Sequence, residues 1–119
     1  MLSRIVPLLS GAAVLVLALL VASVALAHQA AAGWEYDAYC CNGNSHTGDC
    51  QMIRTDRVRI TAEGYEIELR PGDHRLVTVH HRHVVPIAEA RRSRDEFYHL
   101  CLYPDEYTLR CFYAPDMAY

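Results

Sequence analysis

The sequence predicts a small all-β or β-rich domain, with about five antiparallel strands in a twisted sheet or a partly open barrel. Disulfides staple it, and a hydrophobic signal segment precedes it. Three observations predict this. Period-two alternation of apolar and polar residues recurs between turn formers from Val58 onward. All five cysteines follow an apolar leader. The remaining chain is poor in core formers, with only 16 Leu, Ile, Val and Phe among its 92 residues after Ala27. A domain of that size buries too little to be robust by packing alone, and exported domains of this kind compensate with disulfides.

The elements follow in chain order. Met1-Leu2-Ser3-Arg4 is a short positive start, residues 5–27 carry no charge, and Ala25-Leu26-Ala27 gives the small-x-small pattern of a cleavage site. Residues 1–27 are therefore expected to be a signal peptide cleaved before His28, with an uncleaved anchor as the competing reading. Arg4 is the only charge before Glu35, so either reading exports residues 28–119. Residues 28–33 read as a spacer, 34–115 as the domain and 116–119 as a tail. Trp34 to Tyr39 is an aromatic lead-in to a polar loop bracketed by Cys41 and Cys50. Val58 and Ile60, then Tyr65, Ile67 and Leu69, alternate with polar residues about Glu63-Gly64, which predicts a hairpin with one wet face. Arg75 to Val85 reads as a third strand, ended by Pro86. Ile87 to Arg94 reads as one or two helical turns or an extended connection. Phe97 to Tyr103 and Tyr107 to Tyr113 read as a last strand pair around Pro104-Asp105-Glu106.

Composition narrows the function. All 11 basic residues are arginine, and without the leader 10 of them face 14 acidic residues, a net charge of −4. That gives no electrostatic footprint for nucleic acid, and a membrane partner is expected only through residues 1–27 if these stay attached. No cofactor is expected.

The cysteines form two local groups. Cys41 and Cys50 enclose the polar loop, with Cys40 as a competing partner, and Cys101 and Cys111 lie on the arms of the last hairpin. Local pairing, Cys41–Cys50 and Cys101–Cys111, is the expected pattern; the alternative ties the Cys40–Cys50 loop onto the last hairpin. Five cysteines leave one thiol over. A metal reading competes, because His81 and His83 lie two apart on one strand face, where two imidazoles reach one zinc or copper ion, and His46 and His99 lie near cysteines. The plain explanation of His80-His81-Arg82-His83 is a solvated strand face. A thiol enzyme is weaker: Cys50 follows Asp49 and lies four residues after His46, but nothing marks an oxyanion site. No catalytic residue is assigned.

Cys40-Cys41, Gly48-Asp49-Cys50, Gly64-Tyr65, Tyr98-His99-Leu100-Cys101 and Cys111-Phe112-Tyr113-Ala114-Pro115 together resemble a group of small exported five-cysteine proteins of alphaproteobacteria. The resemblance spans most of residues 34–117 and implies an exported domain of this kind, but no mechanism. The loop between Cys41 and Gly48 is longer than in that pattern. The expected role is thus a non-enzymatic binding or accessory protein of the cell envelope, periplasmic or secreted. An envelope protein or ligand would be its partner, met through exposed tyrosine and arginine. The runner-up is a periplasmic metal-binding protein using His81 and His83.

Overall fold

The computed structural model describes residues 29–42 and 48–116. The expected signal segment, the loop containing His46 and the last three residues lie outside the described residues. Among the described residues seven strands run in chain order: β1 (Cys50–Ile53), β2 (Val58–Thr61), β3 (Gly64–Leu69), β4 (His81–Val85), β5 (Arg91–Arg92), β6 (Tyr98–Leu102) and β7 (Leu109–Ala114). They form two sheets, one in the order β1-β6-β7-β5 and one in the order β2-β3-β4. Every pairing is antiparallel except β5 with β7, which is parallel. The β-rich, disulfide-stapled class is as expected, but the strands divide between two sheets.

Side-chain alternation explains the layering. In β6, Tyr98, Leu100 and Leu102 point one way and His99 and Cys101 the other, yet all five are buried. Both faces of β6 are therefore covered. One face packs on the three-stranded sheet through Ile53, Ile67, Leu69, Val85, Leu100, Leu102 and Phe112, with Tyr65 and Tyr98 flanking the Phe112 ring. The opposite face carries Cys50, Cys101, Cys111 and Tyr113 and is roofed by Ala30, Trp34, Tyr36, Cys40 and Cys41. The aromatic lead-in is thus a lid over a second, smaller core.

The β2-β3 hairpin forms about Gly64 as expected, but its two faces are not cleanly dry and wet, since Ile60 is exposed and Glu66 is buried. Glu66 lies on the face away from Ile67 and receives Arg59 at 2.7 Å and Arg82 at 3.0 Å from the two neighbouring strands. The Arg82 and Arg59 guanidiniums hold its carboxyl below the usual range. Gly64 opens β3 at φ +128, and a Cβ there would stand 2.2 Å from the Val85 carbonyl oxygen. Only glycine fits that crossing.

Several expectations are corrected. The third strand begins at His81 rather than Arg75, because the preceding amides find another acceptor: Glu106 takes the N–H groups of Thr78 and Val79 and the Thr78 hydroxyl. Residues 87–94 hold both a single 3-10 turn, Ile87–Glu89, and the short strand β5. The strand β1 went unseen because Cys50 read as the end of a loop. From Gln29, the expected spacer is an ordered turn: Ala30 is buried, its N–H donates to the Trp34 carbonyl at 2.7 Å, and Gln29 bridges to Glu35.

Candidate functional site

The disulfides are Cys40–Cys111 and Cys50–Cys101, with Cys41 a buried free thiol. The local pairing is overturned in favour of the cross-group pattern, and sheet order is the reason. β1 lies beside β6, so Cys50 is in register with Cys101, which on its other side is in register with Cys111. Three cysteines form one row across three strands, and the lid brings Cys40 down onto the end of that row. Cys41 arrives with it. Its Sγ, the Cys50 Sγ and a carboxylate oxygen of Asp49 lie within 4.8 Å of one another, all buried. Burial and the Asp49 charge push the Cys41 thiol up to about 11, so it is protonated at neutral pH. A cysteine ligates a metal as its thiolate, whereas Cys41 is held protonated and Cys50 is already committed to a disulfide.

Beneath Trp34 runs a buried polar chain. His99 Nε2 lies 2.8 Å from Asp95 Oδ2, and His99 Nδ1 lies 2.8 Å from the Tyr36 hydroxyl. Burial holds the His99 imidazole below its usual range, although Asp95 works against this. In the neutral ring, a carboxylate that only accepts fixes Nε2–H as donor to Asp95 and leaves Nδ1 to accept from Tyr36. Burial raises the Asp95 carboxyl, but hydrogen bonds from Trp34, His99, Phe97 N–H and Ser93 outweigh it and bring it down to about 2. The connectivity is that of an acid, a base and a hydroxyl. Tyr36, however, is a buried residue of the lid itself, and that burial pushes its hydroxyl well up. A nucleophile needs access to a substrate, which the buried Tyr36 hydroxyl lacks in this arrangement, and what the chain does here is tie the lid to β6 through His99.

His81 and His83 share one face of β4, as expected, but it is not the solvated one. They are in register with Leu69 and Ile67, on the face that also carries Val85. Their rings stack with centroids 5.8 Å apart. His81 Nε2 lies 2.7 Å from Glu106 Oε1, while His83 Nε2 is buried without a hydrogen-bond partner. Hydrogen bonds from Thr78 and His81 bring Glu106 down to about 2. Burial and the neighbouring His81 keep the His83 imidazole below its usual range. Among the described residues, these three ligand groups do not converge as closely as Cys41, Asp49 and Cys50 do. Glu106 was missed from sequence because it lies in a turn 25 residues away. His80 points outward toward Glu68, and His99 serves the Asp95 chain.

At the surface, the Arg110 guanidinium lies 4.1 Å from the Tyr39 ring centroid and 5.1 Å from that of Tyr103. Arg91 approaches the Tyr39 ring at 6.0 Å. Tyr39 is 63% exposed and Tyr103 41%. Arg110 Nε donates to the Tyr39 carbonyl, and the Cys40–Cys111 bridge joins the two residues next to this pair. Sequence reasoning anticipated a tyrosine and arginine surface without its members.

Two disulfides point to an oxidising, non-cytoplasmic compartment. Among the described residues no helix is long and apolar enough to cross a membrane. No family model matches the chain, and neither a curated protein nor a solved structure does.

Proposed function

We propose that this chain is an exported, non-enzymatic binding module of the cell envelope whose contact surface is the Tyr39–Arg110–Tyr103 stack. One observation carries the reading: the Arg110 guanidinium lies 4.1 and 5.1 Å from the ring centroids of two exposed tyrosines, and a disulfide joins the residues next to Tyr39 and Arg110. Tyrosine and arginine dominate contact hot spots, and side chains already fixed before binding lose little entropy when a partner arrives. An exposed cation–π pair contributes only about 0.5–1 kcal/mol to the fold, so stability alone gives little reason to build it. The partner is a protein of the same compartment that presents a carboxylate to Arg110 and an apolar surface to the rings. A photo-crosslinking residue at Tyr103, compared with one at Ile60 on the other sheet, tests this in the producing cell. A discrete adduct at Tyr103 that is lost with Arg110→Ala supports the surface. Equal adducts at both positions, or adducts only at Ile60, overturn it.

A second reading has an observation of its own. His83 Nε2 is buried with no partner beside His81 and Glu106, a set that suits zinc or copper if the rings turn. Zinc titration of tag-free protein, followed by the imidazole NMR signals, decides it. Saturation at one equivalent that shifts His81 and His83 together supports the site, and no shift removes it.

A further inference from the structure

We infer that Cys41 is the entry point of an internal thiol–disulfide exchange that carries the protein between two disulfide isomers without any external oxidant or reductant. The geometry supplies the path. Cys41 Sγ lies within 4.8 Å of Cys50 Sγ, one end of the Cys50–Cys101 bridge. The lid is seated there, with the Cys40 carbonyl oxygen 3.2 Å from Cys50 Sγ. Cys101 faces Cys111 in register across β6 and β7, one end of the Cys40–Cys111 bridge. Directly opposed residues in an antiparallel pair have Cβ atoms about 4.5–5.5 Å apart. All five cysteines are buried in one cluster.

Cys41 loses its proton to solvent base, and its thiolate attacks Cys50 Sγ. A Cys41–Cys50 bond forms, the Cys50–Cys101 bond breaks, and the electron pair leaves on Cys101 Sγ. That thiolate attacks Cys111 Sγ, forming Cys101–Cys111 and expelling Cys40, which takes up a proton. The chain begins and ends with two disulfides and one thiol. The product is the local pairing that the spacing of the cysteines favours, and the free thiol has moved from Cys41 to Cys40. The covalent tie between the lid and β7 is gone, and with it the bridge beneath Tyr39 and Arg110. The exchange itself does not depend on the binding role proposed above.

The surroundings of Cys41 set the rate. Its charged and titratable neighbours are Asp49 from its own loop, Arg75 from the segment before β4, and the Tyr36 hydroxyl from the lid. Burial and Asp49 keep the thiol protonated, Arg75 and the Cys50 N–H oppose them, and the balance leaves it near 11. Exchange is therefore dormant at pH 6 and quickens about tenfold with each unit rise in pH until the thiol ionises near 11.

The test uses the full chain, oxygen-free, with acid quenching, maleimide labelling and non-reducing peptide mapping. At pH 6 the label should sit on Cys41 alone. After incubation at pH 9 it should appear on Cys101 and then on Cys40, with Cys41–Cys50 and Cys101–Cys111 peptides rising alongside. The rate should be independent of protein concentration, and Asp49→Asn should raise it at pH 8. Label confined to Cys41 at pH 9 overturns the inference. So does a rate proportional to protein concentration, or scrambling at the wild-type rate in Cys41→Ser.

Discussion

Acidification should unfold this domain through histidines that are buried, more than through the exposed His80. His74 is 0% exposed, its Nε2 on the Asp49 carbonyl at 2.9 Å and its Nδ1 accepting from Leu76 N–H. His99 is 2% exposed in the Asp95 chain, and His83 is partly buried between the sheets. Burial is the leading cause that holds all three imidazoles below their usual range. The unfolded chain therefore takes up protons first as pH falls. Their contribution is fully present above about pH 6.5 and is lost as pH falls toward the folded values. Each imidazole that stays neutral in the fold costs up to about 1.4 kcal/mol per pH unit, hence up to about 2 kcal/mol between pH 6.5 and 5.0. Three together reach a ceiling of about 6 kcal/mol, comparable to the whole stability of a small domain, typically about 5–15 kcal/mol. Asp95 and Glu106, both near 2 in the fold, stay ionised there across this window, and because their ordinary values are 3.8 and 4.5 their own loss falls mainly below pH 5. Urea unfolding from pH 7.5 to 5.0 measures the loss, and the imidazole proton resonances assign it. Stability flat to within about 1 kcal/mol across the window would refute the reasoning. So would imidazoles of His74 and His99 that titrate in the folded protein near 6.5.

Three further predictions concern the two cores. Phe112→Ala removes the ring flanked by Tyr65 and Tyr98 and should cost about 3–5 kcal/mol in urea unfolding; a loss under 1 would mean that the sheets do not share a core there. The Cys40→Ala/Cys111→Ala pair opens a loop of 71 residues that the inner bridge, spanning 51, shortens to the difference of 20. Loop entropy then gives about 3 kcal/mol, read as a melting point lowered by about 12–24 °C against Cys41→Ala, which should change little. Gly64→Ala drives a methyl into the Val85 carbonyl and should destabilise by more than about 1–3 kcal/mol; a neutral result in the same assay would place β3 and β4 differently.

How much of this was legible in the sequence depends on the range of each interaction. The β2-β3 hairpin and the β6-β7 pair are local, and their alternation about Glu63-Gly64 and Pro104-Asp105-Glu106 places them to within a few residues. Sheet order is not local. Nothing in the run from Cys41 to Cys50 indicates that Cys50 will lie beside Cys101, 51 residues on, and the disulfide pattern follows from that adjacency alone. The same gap hid Glu106 from His81 and Asp95 from Trp34. His81 and His83 were correctly placed on one face. Which face was buried depended on the second sheet, which a two-residue period cannot reveal. The lid was half legible: its aromatic content was plain, but its role as a roof needed an underside lined by cysteines.

Non-reducing peptide mapping of the native protein, acid-trapped at pH 6, tests most directly that the lid is stapled to the outer face of the four-stranded sheet. The account predicts Cys40–Cys111 and Cys50–Cys101 peptides with Cys41 unlinked. Recovery of Cys41–Cys50 and Cys101–Cys111 at that pH would contradict it.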